Sequence, residues 1–118
     1  AVLEKRGGFH FGIKDVFVNI AGGFKIEDPS LDLAIVSALL SSYEDVPINQ
    51  HFCFAGEVGL SGEIRAVNRI EQRIAEAEKL GFQKIIVSKY NAKSLGKLKF
   101  NIEVVPLAKV EELYQLLF

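Results

Sequence analysis

Gly56-Glu57-Val58-Gly59-Leu60-Ser61-Gly62-Glu63-Ile64-Arg65-Ala66-Val67, followed at once by Asn68-Arg69-Ile70-Glu71-Gln72-Arg73-Ile74-Ala75-Glu76-Ala77, decides the fold of this chain. Apolar and polar residues first alternate, and Gly59 and Gly62 bracket a tight turn, so the first half reads as strand, turn and partner strand (Glu63 to Val67). The period then lengthens. Ile70, Ile74, Ala77 and Leu80 recur at helical spacing over Ile70 to Leu80, and Gly81 follows as a C-terminal cap.

Upstream, the hairpin's first strand reaches back to Phe52 through the apolar run Phe52-Cys53-Phe54-Ala55. Before it lies a long apolar helix, Leu31 to Tyr43, opened by Asp28-Pro29-Ser30. Leu33, Ala34, Val36, Ser37, Leu40 and Ser41 keep helical spacing, and the helix is apolar on most faces, which predicts a buried one. Ser30 suits the N-cap and Asp32 the favourable end of the helix dipole. Two strands are predicted ahead of it, Phe9 to Ile13 and Asp15 to Ala21, with a kink or bulge at Gly22-Gly23. Ala1 to Arg6 reads as the last turns of a helix closed by Gly7-Gly8, too short to nucleate alone, so upstream chain is expected to support it. Downstream, Lys84 to Ser88 and Ile102 to Val105 read as strands, Asn91 to Lys93 as a short helical turn, and Val110 to Phe118 as a closing helix after Pro106. A strand-rich start followed by αβ units predicts an α/β (α+β) fold, a two-layer sandwich with a mixed sheet.

Composition narrows the function. At 118 residues and 49% hydrophobic, the chain fits one domain with a real core. Its net charge of −1 gives no global signature of nucleic-acid binding, so any such role must rest on local clustering. A single cysteine, Cys53, lies in an apolar run and reads as a buried small hydrophobe, compatible with a reducing, cytoplasmic setting. No apolar run approaches a membrane span, and no signal-peptide pattern opens the chain. His10 and His51 stand alone, without ligand-spaced company, so no metal site is expected. No phosphate-cradling glycine motif occurs.

The hairpin-to-helix unit, with a serine at the mouth of the earlier apolar helix, resembles the proteolytic domain of Lon proteases. In that family a helix-mouth serine is the nucleophile and a lysine on the later helix is its base. In register, Ser30 falls on the nucleophile, Pro47 on a family proline, Gly56-Glu57 on the family's Gly-Glu, and Arg73 on the catalytic lysine. A general base must release its proton near the working pH. Arginine does not do so in proteins. Lys79, six positions along the same helix, points about 240° away at roughly 100° per residue and cannot substitute. Leu31 and Asp32 also replace the small residues that follow the family's serine, and a carboxylate there opposes an oxyanion. The departures themselves form a pattern. Ala1 to Gly8, Asp15 to Gly23, Ser30-Leu31-Asp32-Leu33-Ala34 and Gly56 to Arg65 together resemble the C-terminal Lon-protease-like domain of the RadA (Sms) family of bacterial DNA repair proteins, across essentially the whole chain.

That resemblance implies a ribosomal-protein-S5-domain-2-like fold, with residues 1–8 as the end of a truncated linker helix and 9–118 as the Lon-like domain. It implies a non-proteolytic scaffold within a DNA-dependent ATPase of recombinational repair that promotes branch migration. Hexameric ring assembly and contact with single-stranded or branched DNA are implied with it, and the RecA recombinase as a further partner. ATP, magnesium and zinc are then expected in upstream domains and no cofactor here.

The candidate residues carry alternatives. Ser30 is either a nucleophile or a helix cap, and without a base the cap is favoured; an active serine peptidase with an unorthodox base is the competing function. Arg73 is either a functional cation or a solvated or ion-paired helix residue, and Asp32 is a plausible partner for it where the dyad would stand. Lys79, Lys84, Lys89, Lys93, Lys97 and Lys99 form the chief charge asymmetry, with no acidic residue between Lys79 and Glu103, and Tyr90 and Phe100 lie among them. They are either a phosphate-binding surface or a solvated rim. Arg65 and Arg69 flank the strand-to-helix corner and are further nucleic-acid candidates. Glu57 and Glu63 are too weakly related to count as a carboxylate pair.

Overall fold

A computed structural model of the chain describes residues 28–96 and 99–118. The expected linker helix, the two strands over 9–21, the kink at 22–23, His10 and Lys97 lie outside the described residues. The elements run as a 3-10 turn (Pro29–Leu31), α1 (Asp32–Glu44), β1 (Phe52–Ala55), β2 (Glu57–Val58), β3 (Ile64–Arg65), α2 (Ile70–Lys79), β4 (Lys84–Ser88), α3 (Lys89–Leu95), β5 (Glu103–Leu107) and α4 (Val110–Leu117).

β4 is the centre of the sheet because its residues Ile85-Ile86-Val87 are apolar on both faces, as a doubly covered parallel strand requires. It pairs in parallel with β1, Ala55 opposite Val87, and with β5, Lys84 opposite Glu103. Alternation along β4 then assigns the two halves of the core. Ile86 packs with Leu33, Val36 and Leu40 of α1 and with Val110 and Leu113 of α4. Ile85 and Val87 pack with Ile70, Ile74 and Ala77 of α2 and with Leu95 of α3. The α/β class therefore holds, with a parallel sheet and a small antiparallel ribbon, β2 against β3. Among the described residues the layering is fuller than two, since helices cover both faces of the parallel sheet.

Gly56 divides what the sequence reads as one strand. The Leu33 amide donates to its carbonyl at 3.1 Å, and its own amide donates to the Ser30 carbonyl at 3.3 Å. A Cβ here would stand 3.0 Å from Leu33 Cδ2 and 3.2 Å from Ile64 Cγ2. Glycine is what lets the start of α1 lie against the end of β1. Two other expectations shift. The short turn at 91–93 is a seven-residue helix, because Ser88 caps it by accepting the Tyr90 amide at 3.1 Å. β5 continues through Pro106, which sits on a strand at the sheet's edge among the described residues, where a missing N–H is tolerated.

Candidate functional site

Three segments meet at the carboxyl end of the parallel strands: the turn 28–31, the corner 66–69 that leads into α2, and the β4–α3 junction. Asp28 organises the first. Its Oδ1 accepts the Ser30 amide at 3.0 Å and the Ser30 hydroxyl at 2.6 Å. Pro29 presets the backbone at the start of the turn. Asp28, not Ser30, is thus the capping residue, a correction to the cap expected at position 30. A carboxylate reaching the amide two residues on is the stronger acceptor. Ser30 sits inside the turn at 5% exposure, and α1 starts with no side-chain cap bond.

Arg73 reaches the same serine from α2. Its Nη1 donates to Ser30 Oγ at 3.0 Å, its Nε to the Asn68 carbonyl at 2.9 Å and its Nη2 to Asn68 Oδ1 at 3.3 Å. The Asp32–Arg73 pair, one of the alternatives for Arg73, does not form. Among the described residues the ion pairs are Arg65–Glu63 at 3.1 Å and Lys84–Glu103 at 3.9 Å. Asp32 instead accepts the Val58 amide on Oδ2 at 3.1 Å, which gives an otherwise open strand donor its partner. The two carboxylates respond differently. Hydrogen bonds from the Ser30 hydroxyl and amide hold Asp28 below the usual carboxylate range, with the Arg73 charge adding to them. Burial pushes Asp32 up, the Val58 amide opposes it, and the charges of Glu57 and Asp28 push the same way as burial. A groove of about 610 Å³ runs between α2 and β1, with Leu31, Cys53, Arg69, Arg73 and Glu76 in its wall. Burial raises the Cys53 thiol to about 11, so it is a poor nucleophile at neutral pH.

The corner is gripped from α3. Asn91, 5% exposed, accepts the Val67 amide on Oδ1 at 2.8 Å and donates from Nδ2 to the Val67 carbonyl at 2.9 Å. Its side chain stands in for a neighbouring strand and satisfies both backbone groups of one residue. Ser88, fully buried, donates from Oγ to the Ile64 carbonyl at 3.2 Å. Arg69 then enters α2 in the left-handed region, with φ 56°.

These contacts sort the cationic candidates. Arg65 on β3 is exposed and pairs with Glu63, and Arg69 is exposed at the corner. Lys89 and Lys93 are exposed on α3, adjoining that corner. Lys84 stands at the opposite end of β4, about 15 Å away at roughly 3.3 Å per residue. There its ammonium lies 5.2 Å from the centroid of Phe52 as well as near Glu103. Lys79 closes α2, and Lys99 lines a groove with Phe100 and Pro106. Among the described lysines, Lys84 and Lys89 stand at opposite ends of β4, so these cations are not gathered at one end of the sheet. Lys89 and Lys93 join the arginine corner instead. Sequence reasoning missed Asn68, Ser88 and Asn91. Only Ser88 had a signal, a serine directly before a helical turn. Among the described residues no group of three His, Cys, Asp or Glu is placed to hold a metal ion. None of the described helices is long and apolar enough to cross a membrane.

With this geometry in place, comparison with known proteins gives a consistent placement. The chain is 48% identical over 118 residues to the DNA repair protein RadA of Streptococcus pneumoniae, covering 100% of this chain and 28% of that protein. It is 49% identical over 112 residues to the DNA repair protein RadA of Bacillus subtilis, and 45% identical over 112 residues to that of Listeria monocytogenes, in both cases covering 95% of this chain and 24% of the relative. The chain thus spans about a quarter of the length of these relatives. The resemblance to the RadA family read from the sequence is shown at this level. Residues 1–91 match the family described as subunit ChlI of Mg-chelatase, and the chain belongs to that family.

Proposed function

We propose that this chain is a non-proteolytic, Lon-like scaffold domain of a RadA-type DNA-dependent ATPase acting in bacterial recombinational repair. In this reading it supports hexameric ring assembly and contacts DNA during branch migration. ATP, magnesium and zinc are bound by other domains of the longer protein, the setting is cytoplasmic, and RecA is a partner of the whole. The observation that carries the non-proteolytic part is the 3.0 Å hydrogen bond from Arg73 to Ser30 Oγ. A nucleophilic serine needs a neighbour that accepts its proton. Arg73 can only donate, and the serine's own proton is committed to Asp28. The constellation that performs chemistry in a serine–lysine peptidase is here a staple between a turn and a helix. The relatives named for DNA repair support the broader assignment.

The competing function, a serine peptidase with an unorthodox base, has one observation in its favour, the Asp28 carboxylate 2.6 Å from Ser30 Oγ. Asp28 is held below the usual carboxylate range, which makes it a weak base at neutral pH. A fluorophosphonate probe decides between them. No adduct on Ser30 under conditions that label an active serine peptidase is the expected result, and stoichiometric labelling of Ser30 overturns the proposal. Sedimentation of the full-length protein with and without this domain tests ring support; an unchanged ring size on deletion removes that part.

A further inference from the structure

We infer that Tyr90 is a stacking platform for a base of single-stranded nucleic acid, with Arg69 and Lys93 holding the neighbouring phosphates; the inference rests on the DNA-contact part of the proposed function and names its site. Tyr90 is 59% exposed, on a short helix whose other apolar residues, Ala92 and Leu95, turn inward. An aromatic ring left this open presents a large apolar surface to solvent. The Lys89 ammonium stands over the ring, 5.1 Å from its centroid, so a cation–π contact already sits on one face and a base would stack on the other.

The backbone beneath the ring is held on both sides. The Tyr90 amide donates to buried Ser88 Oγ, and Asn91 clasps Val67 through two hydrogen bonds. The ring is thus carried on backbone pinned by three side-chain hydrogen bonds. The same clasp brings two cationic segments together that are 20 or more residues apart in sequence. Val67 lies two residues before Arg69, and Asn91 lies two before Lys93. Chain geometry puts the backbones of Arg69 and Tyr90 within about 15 Å of each other, a span of roughly two to three nucleotides.

A single strand suits this surface better than a duplex. Bases in a duplex are stacked on one another and give a tyrosine no free face, whereas a single strand does. With a net charge of −1 the chain offers no long-range pull on a polyanion, so affinity has to come from stacking and a few close cations.

The test uses the full-length protein with oligo(dT) carrying 5-iodouracil, irradiated and read by mass spectrometry, beside anisotropy titrations with plain oligo(dT), an abasic strand of equal length, and duplex DNA. The expected result is an adduct on Tyr90. With it, Tyr90→Ala weakens oligo(dT) binding about tenfold but leaves the abasic strand unaffected, while Tyr90→Phe binds as the parent does. Adducts confined to 65–69 or 91–93, with Tyr90→Ala neutral, overturn the stacking site and leave DNA contact standing. A duplex preference with Tyr90→Ala neutral also overturns it. Absence of any adduct in residues 28–118, together with an unchanged salt slope in Arg69→Gln and Lys93→Gln, removes the DNA-contact reading as well.

Discussion

Two polar seams fasten the corner before α2 to the rest of the molecule, and they are built in opposite ways. The Asp28–Ser30–Arg73–Asn68 seam is charged and, buried Ser30 apart, partly or fully open to solvent. The Ser88–Asn91 seam is neutral, its side chains are buried, and it satisfies backbone groups of Ile64 and Val67. Removing a partner in the second strands a buried donor or acceptor, while removing one in the first exposes groups to solvent. The seam at Ser30 and Arg73 is therefore the weaker fastening. The one invisible from sequence sets the geometry.

The difference can be broken by mutation, starting with its strongest member. Asn91→Leu leaves both Val67 backbone groups unpaired and is expected to cost about 3 kcal/mol in chemical denaturation; a loss near zero would mean the corner does not need the clasp. Ser88→Ala removes one bond to a carbonyl and one to an amide and is expected to cost about 1–2 kcal/mol by the same measurement. Arg73→Met is expected to cost about 1 kcal/mol or less. A double-mutant cycle with Ser30→Ala should then return a small coupling, and a coupling as large as the Asn91 effect would reverse the ranking of the seams.

The smallest effect is one of pH. Asp32 is raised from its ordinary value of 3.8, so its folded form holds its proton more tightly than the unfolded chain does. Its contribution to stability therefore becomes more favourable as pH falls through the folded pKa. Asp32→Asn keeps an acceptor for the Val58 amide and is expected to raise the Tm slightly at neutral pH, with the gain vanishing in acid. Asp28 runs the other way: its contribution is present above the unfolded pKa and is lost as pH falls through the folded one. Melting curves of both Asn variants across acid pH separate the two signs.

Much of this architecture is legible in the residues. β4 reads to its ends as Lys84 to Ser88 because an apolar run bounded by Gly81 and a polar stretch has few other readings. The helices at 32–44 and 70–79 follow from their spacing to within a residue or two at each end. Arg73 in place of a lysine is visible once the resemblance to Lon-type domains is drawn. Its destination was not, because Asp32 competes for it on charge alone. What redirected it is the Val58 amide, a backbone donor that no side-chain pattern announces. Asn91 was hidden for a related reason. Within a lysine-rich segment an asparagine looks like one more polar surface residue, and only the fold turns it inward. Lys84 and Lys89 part company because linear charge density says nothing about which end of a strand each residue meets.

The left-handed backbone of Arg69 has a practical consequence. At most positions, deleting a side chain confounds its loss with damage to the fold. Here glycine would relieve local strain of about 1 kcal/mol while adding a comparable flexibility to the unfolded chain, so the two nearly cancel. Arg69→Gly is thus a nearly silent change for folding, and whatever it abolishes belongs to the guanidinium.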